Sequence, residues 1–383
     1  MAGIYFHIPF CKQACHYCDF HFSTSIKYKG ELLEAMAKEL RLQSAFLSTR
    51  EINTIYFGGG TPSVLEAHEI SYLLDEASRY FDIEQATEIT LEANPDDLDQ
   101  KKVEALRETP VNRFSIGIQS FFDEDLKWMN RAHTAQEADS AIKRVQDAGF
   151  EDVTADLIYG YPLLSDEKWL SNILKLTGLR VPHISAYSMT VESKTALAHF
   201  IKVGAQKNMD EEQAAAQFLQ LIETLSSFSY EHYEISNFAF PNRYAKHNTN
   251  YWKSEPYLGI GPSAHSYNGS QRQWNISNNM RYMDEIGKNN VPAEIELLSP
   301  VDQINEYIMT SLRTMWGLDL NRIQQLYGAA WYDLIVNSAK RFEEENKLFR
   351  EHEHLKLTTA GKLMADFIAS ELFIEDEDEY KKD

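Results

Sequence analysis

Over the first 230 positions, short β-rich apolar runs alternate with longer amphipathic stretches. The runs 4–8, 54–57, 88–91, 113–118, 152–159 and 183–189 are rich in Ile, Val, Phe, Tyr and Thr, and several end in Gly, Pro or a polar side chain. Helical periodicity fills the gaps over 27–47, 66–81, 99–107, 135–148, 166–176 and 210–225. In the first of these, Leu32, Leu33, Met36, Leu40 and Phe46 recur among Glu, Lys and Arg. Six strands alternating with helices predict parallel βα units and a sheet buried on both faces. Six repeats are too few for a closed eight-stranded barrel. The expected fold is therefore α/β, an open (β/α)6 partial barrel.

The alternation breaks near Tyr230. A strand-like run over 230–235 is followed by 236–269, rich in Asn, Pro, Gly and aromatics. Past Pro300 the pattern is mainly helical, over 301–315, 321–326, 330–345 and 359–370, with a small β patch at 354–357. Helices followed by a short strand pair suggest a winged-helix-like appendix, and 375–383 reads as a charged, disordered tail. The expected domains are a core over 1–237, a connecting region over 238–299 and a C-terminal helical unit with an acidic tail over 300–383.

Composition narrows the function. A net charge of −21 argues against a nucleic-acid backbone as partner, which would call for a basic face. The chain has three cysteines, all within one short motif, so a disulfide framework is not expected and a reducing compartment is implied. No signal-like pattern and no run of 18 apolar residues is present in the sequence, which suggests a soluble, cytoplasmic protein and leaves a peripheral membrane contact open.

Those cysteines, Cys11, Cys15 and Cys18, lie just behind the first strand, which stops at Pro9. Three thiolates can hold three irons of a cubane [4Fe–4S] cluster and leave the fourth iron open to a small molecule. A zinc site completed by His7, His16 or His21 and three idle buried thiols are the alternatives. Polar and glycine residues gather where the predicted strands end: the glycines of 58–60, Glu92, Gln119, Asp156 and Thr190. That rim is where barrels and open α/β sheets bind ligands.

CxxxCxxC close behind a strand resembles the radical S-adenosylmethionine (SAM) superfamily, and YFHIPFCxxxCxYCDF resembles its coproporphyrinogen dehydrogenase/HemW group. The resemblance implies a [4Fe–4S] cluster on Cys11, Cys15 and Cys18 with SAM on its open iron. It implies SAM contacts from Gly59, Gly60 and Thr61 of a GGGTP loop, from Glu92 to the ribose hydroxyls, and from Gln119, Arg131, Asp156, Tyr5 and Tyr17. Alone, GGG would usually be a plain turn, Glu92 a solvated carboxylate, Arg131 and Asp156 a rim ion pair, and Tyr5 and Tyr17 packing. The implied chemistry is reductive cleavage of SAM to a radical that abstracts hydrogen, with an electron donor such as a flavodoxin or ferredoxin as partner.

Two departures separate this chain from the decarboxylating members of the group. Phe20 stands where they carry a further cysteine in CxxxCxxCxC, and only ten residues precede Cys11 where they have a longer amino-terminal segment. His247, Asn248, Tyr251 and Trp252 match HNxxYW, which marks the haem chaperones of the group. A histidine can ligate haem iron, and Tyr and Trp can lie against a porphyrin. The expectation is a haem-binding chaperone, with haem near His247, delivering haem to acceptor proteins such as cytochromes; His232 and His265 are other histidines nearby in sequence. The alternative is an oxygen-independent coproporphyrinogen III dehydrogenase.

Overall fold

The structure, a computed structural model, describes residues 2–375. The expected tail therefore lies, beyond Glu375, outside the described residues. Six parallel strands stand in sequence order: β1 (Gly3–Ile8), β2 (Thr54–Gly59), β3 (Glu88–Ala93), β4 (Arg113–Gln119), β5 (Asp152–Tyr159) and β6 (His183–Ser188). Between and after them run helices α1 (Lys29–Leu42), α2 (Ala67–Ser78), α3 (Gln100–Arg107), α4 (Asp123–Trp128), α5 (Ala135–Asp147), α6 (Asp166–Gly178), α7 (Ala196–Lys202) and α8 (Glu211–Ser227). The fold is the open (β/α)6 partial barrel that the alternation predicts.

Local chemistry places the boundaries. Thr134 and Glu137 form a capping box at the start of α5, and Ser165 caps α6 through Lys168 N–H. Helix α1 stops at Leu42, short of the predicted residue 47. The Ser44 hydroxyl donates to the Arg41 carbonyl and diverts the chain, while Leu47 still packs into the core.

Both faces of the parallel sheet are shielded, but they differ chemically. Outward, against the helices, stand Ile4, Phe6, Ile55, Phe57, Ile89, Leu91, Phe114, Ile116, Val153 and Ala155, all in one core. Inward, the registers Tyr5↔Tyr56↔Thr90 and Glu92↔Ser115↔Thr154 set polar groups side by side, as does Asp156↔Ser185. The strands thus obey period two within parallel units, an alternation more usual in antiparallel sheets.

The sheet runs on past both ends of the six. Strands β7 (Glu231–Glu234) and β8 (Asn237–Ala239) continue it beyond β6. Residues 238–299 give further elements: helix α9 (Lys246–Trp252), strand β9 (Tyr257–Ile260) parallel to β1, an antiparallel meander β10 (His265–Tyr267), β11 (Gln271–Asn275) and β12 (Ala293–Leu297), and helix α10 (Asn279–Gly287). Leu258, Ile260, Tyr282 and Ile286 join the main core. The outer strands β12 and β7 do not meet, so the sheet stays open.

Residues 300–374 build their own core around Ile304, Ile308, Ile323, Ile335, Leu355 and Ile368. Here α11 (Pro300–Leu312), α12 (Leu320–Tyr327) and α13 (Ala329–Glu344) precede a hairpin, β14 (Leu348–Glu351) and β15 (His354–Leu357), and β13 (Leu318–Asp319) pairs with β15. The last predicted helix is two, α14 (Thr359–Lys362) and α15 (Ala365–Ser370). The turn between them lets Ala365, Ile368, Ala369 and Leu372 all reach this core. The unit hangs on the edge of the sheet through Ile235 N–H to Arg313 O at 3.0 Å and Met315 N–H to Tyr233 O at 2.9 Å.

One buried carboxylate ties the meander to the helices. Glu39 of α1 accepts from Gly261 N–H at 2.8 Å, Asn275 Nδ2 at 2.6 Å and the Tyr282 hydroxyl at 2.5 Å. Burial raises its pKa to about 7, against the pull of those donors. A raised carboxylate stabilises the fold fully below its unfolded value, and that stability is lost as pH rises through the folded value. Comparing wild type with Glu39→Gln by urea unfolding at pH 4.5 and pH 8 should show wild type losing on the order of 3 kcal/mol relative to the variant. A pH-independent difference would remove Glu39 as the titrating group.

Candidate functional site

The site begins at a clamp between two loops. Where β1 and β2 end side by side, Ile8 opposite Gly59, Gly60 N–H donates to Ile8 O at 2.9 Å and Thr61 N–H to Phe10 O at 2.7 Å. Gly59 sits at φ +109°, where its missing side chain leaves room for the His7 ring. At Gly60 a Cβ would lie 2.7 Å from Phe10 O and 2.9 Å from Ile8 O, so only glycine admits this approach. The cysteine loop is thereby fixed to the end of the sheet.

Cys11, Cys15 and Cys18 are all free and half-buried on that loop. The Thr61 hydroxyl donates to Cys11 Sγ at 3.5 Å, and Arg131 Nη1 lies 3.3 Å from Cys15 Sγ and 3.5 Å from the Tyr17 hydroxyl. Burial pushes the Cys11 thiol up and that of Cys18 up to about 11. A cationic iron centre would remove that penalty and hold both as thiolates. Among the described residues, no three His, Cys, Asp or Glu side chains converge closely enough to hold one ion. Mononuclear zinc needs four donors about 2.0–2.3 Å from one point, whereas a cubane takes each thiolate at a separate corner. Of the histidines that could complete a zinc site, His7 has both ring nitrogens engaged, with the Tyr5 hydroxyl and with His21 O, while His16 is held through Nδ1 by Trp128 O and His21 through Nε2 by Asn279.

Beside the cysteines the inner face of the sheet is polar. The Tyr56 hydroxyl donates to Glu92 Oε1 at 2.8 Å, and the Ser115 hydroxyl lies 3.3 Å from both oxygens of Asp156. Burial raises Glu92 to about 7, with the nearby Asp156 adding to the shift, and burial raises Asp156 to about 6. Tyr5 stacks on Tyr56, ring centroids 6.0 Å apart. Gln119 ends β4 at φ +65°, beside a register shift in the β4–β5 pairing. A non-glycine residue is rarely held in that conformation. A Cβ on Gly117 would meet both Gln119 Nε2 and Arg131 Nη2 at 3.0 Å, so the two side chains converge there.

Arg131 is not in a rim ion pair with Asp156. Its Nη2 donates to Asn94 Oδ1 at 2.6 Å and to Gly117 O at 2.9 Å, while Nε is buried without a hydrogen-bond partner. That orphaned donor suits an anionic group such as the carboxylate of an amino-acid ligand. Tyr5, Tyr17, Gly59, Gly60, Thr61, Glu92, Gln119, Arg131, Asp156 and the three cysteines are therefore brought together along the carboxyl ends and inner face of the strands.

His247 is not among them. It belongs to α9, which packs across the amino ends of the strands, with its backbone N–H on Glu88 Oε1 at 2.8 Å. Its ring is 1% exposed, and both nitrogens are engaged, Nδ1 with Thr54 Oγ1 at 2.9 Å and Nε2 with the Tyr251 hydroxyl at 2.7 Å. Burial lowers its pKa to about 3, so the ring is neutral. Rings continue from it along the inner face, to Tyr56 at 5.1 Å and, by way of Tyr251, to Tyr257 at 4.6 Å.

Tyr56, Asn94 and Ser115 were not singled out by sequence reasoning. Period two was the available signal, because Thr54, Tyr56 and Gly58 share a face, as do Ser115 and Gly117.

Comparison with known proteins bears on the family and the fold. The family model described as Radical SAM superfamily matches residues 5–175, and that described as HemN C-terminal domain matches 298–364. The chain is 31% identical over 372 residues to the heme chaperone HemW of Lactococcus lactis, covering 97% of each chain. It is 32% identical over 367 residues to the heme chaperone HemW of Bacillus subtilis, covering 95% of this chain and 97% of that one. Among solved structures, coproporphyrinogen III oxidase (HemN) from Escherichia coli, described as a radical SAM enzyme, superposes with a TM-score of 0.84 at 21% identity. That match covers 97% of this chain and 90% of the other, and it shows a shared fold.

The clamp yields a direct test. Gly60→Ala forces a methyl group against two backbone segments and should destabilise the protein by roughly 1–3 kcal/mol. Anaerobic reconstitution followed by iron and sulfide analysis should show the variant loading far less cluster than wild type; equal loading and equal melting temperature would contradict the clamp.

Proposed function

We propose that the chain, which belongs to the HemW family of radical SAM proteins, is a haem chaperone that holds haem and hands it to acceptor proteins such as cytochromes. The observation that carries this is end-to-end kinship: the relatives described as heme chaperone HemW match nearly the whole chain, cysteine loop and C-terminal unit together. Phe20 supports it, since the position two residues past Cys18 holds an exposed phenyl ring instead of a thiol.

In this reading Cys11, Cys15 and Cys18 hold a [4Fe–4S] cluster, and SAM lies against Gly59, Gly60 and Thr61. Glu92 and Asp156 accept from hydroxyls of the nucleoside, Gln119 and Arg131 contribute donors, and Tyr5 and Tyr17 flank the ligand. When bound, the cluster supplies one-electron reducing power to SAM. The protein's own part is to orient that ligand and shield it, with Arg131 Nε offering its spare proton to a carboxylate. An electron donor such as a flavodoxin or ferredoxin and a cytoplasmic setting complete the proposal. Among the described residues no helix is long and apolar enough to cross a membrane.

His247 can serve haem iron only by exchanging one hydrogen bond for it, and the Tyr251 hydroxyl on Nε2 is the partner that lies on the same helix, one turn further on. Haem titrated into Tyr251→Phe should therefore bind more tightly than to wild type, and to His247→Ala more weakly, with an altered Soret band. Identical bands and affinities in all three would take His247 out of the haem site.

The second reading, coproporphyrinogen III oxidation, draws on the shared fold with HemN. Reconstituted protein incubated anaerobically with coproporphyrinogen III, SAM and a reductant should form no protoporphyrinogen at a catalytic rate. Turnover would displace the chaperone reading.

A further inference from the structure

The loop after β3 belongs to neither the cysteine motif nor the glycine loop, yet it touches both. Asn94 Oδ1 accepts from Arg131 Nη2 at 2.6 Å, and Arg131 Nη1 reaches Cys15 Sγ at 3.3 Å. Asn94 Nδ2 donates to Thr61 Oγ1 at 3.3 Å, and the Thr61 hydroxyl donates to Cys11 Sγ at 3.5 Å. Arginine has only donors, so the amide oxygen must face it and the amide nitrogen must face Thr61. With its lone pair engaged by that nitrogen, the threonine hydroxyl is left to aim its proton at sulfur.

The amide is itself held. Its backbone N–H donates to Ser63 Oγ at 3.2 Å, and the Ser63 hydroxyl donates to Asp97 Oδ2 at 2.6 Å. Lys12, next to Cys11, pairs with Asp96 at 2.9 Å and with Asp97. The cysteine loop, the glycine loop and the loop after β3 thus form one network with Asn94 at its centre.

We propose that Asn94 is a positioning residue that fixes Arg131 and Thr61 as hydrogen-bond donors to Cys15 and Cys11, and so sets the reduction potential of the cluster those cysteines hold. The proposal rests on the cluster reading above. One electron added to the cluster, with no bond or proton transferred, increases negative charge on the sulfurs. Donors aimed at sulfur favour the reduced form more than the oxidised one, and their partners outside the coordination sphere keep them aimed.

The test uses anaerobically reconstituted full-length wild type, Asn94→Ala and Asn94→Ser, with dithionite as reductant. Iron and sulfide are assayed first, and the midpoint potential is then followed by electron paramagnetic resonance. Asn94→Ala should carry a full cluster whose potential is more negative by at least a tenfold change in the one-electron equilibrium, about 59 mV. Its resonance spectrum should also change. A fully loaded variant with unshifted potential and spectrum would overturn the proposal. Should Asn94→Ala fail to load, Asn94→Ser decides by the same measure. If neither loads while wild type does, Asn94 serves folding alone and the proposal falls. Wild type free of iron and sulfide would instead sink the cluster reading itself.

Discussion

The approach of two backbones at the ends of β1 and β2 is the constraint on which the site depends. Gly60 and Thr61 donate to the carbonyls of Ile8 and Phe10, and the fit leaves no room for a side chain at residue 60. This joins the loop of thiols to the glycine loop through backbone hydrogen bonds, to which the Thr61 hydroxyl adds its contact with Cys11 Sγ. Everything the inner face offers, Glu92 and Asp156 included, is measured from that junction. The strands supply rigidity there, because parallel hydrogen bonding fixes the ends of β1 and β2 level with each other.

Behind the junction, the inner face is expensive to maintain. Glu92 and Asp156 are half-buried and His247 is fully buried, and each shifts toward its neutral form. Hydrogen bonds from Tyr56 and Ser115, and between His247 and both Thr54 and Tyr251, offset part of that cost. Polar alternation on parallel strands is thus the signature of an interior kept for ligands. A doubly covered sheet with no such task would fill both faces with aliphatic side chains.

Much of this was legible in the sequence. The six strands and six of their helices follow from periodicity, though the short α4 and α7 do not, and the cysteine spacing with the glycine run marks the rim. The elements within 238–299 were not legible, because β9, β10 and β11 are only three to five residues long and are broken by Gly in β9, by His and Ser in β10 and by Gln, Arg and Asn in β11, too short a pattern to read as strand. Their strand character comes from pairing with β1 and with one another, which no local pattern encodes. The placement of His247 was hidden for the same reason. Its motif names the residue types but not which end of the barrel α9 covers. In sequence Asn94 is one asparagine before a proline, and only the positions of Arg131 and Thr61 give it a task.

The adjacency of β9 and β1 has a consequence for how the chain is made. β1 leaves the ribosome long before Tyr257–Ile260, the neighbour on its second edge. At roughly 5–20 residues per second, some 10–50 seconds of synthesis separate the two. For that interval the strand that precedes the cysteines keeps one flank of unsatisfied amides and carbonyls, a template for mispairing. Closing a contact of such sequence separation is slow by topology. The nascent protein is therefore most vulnerable, to aggregation and to oxidation of its thiols, before β9 has been made.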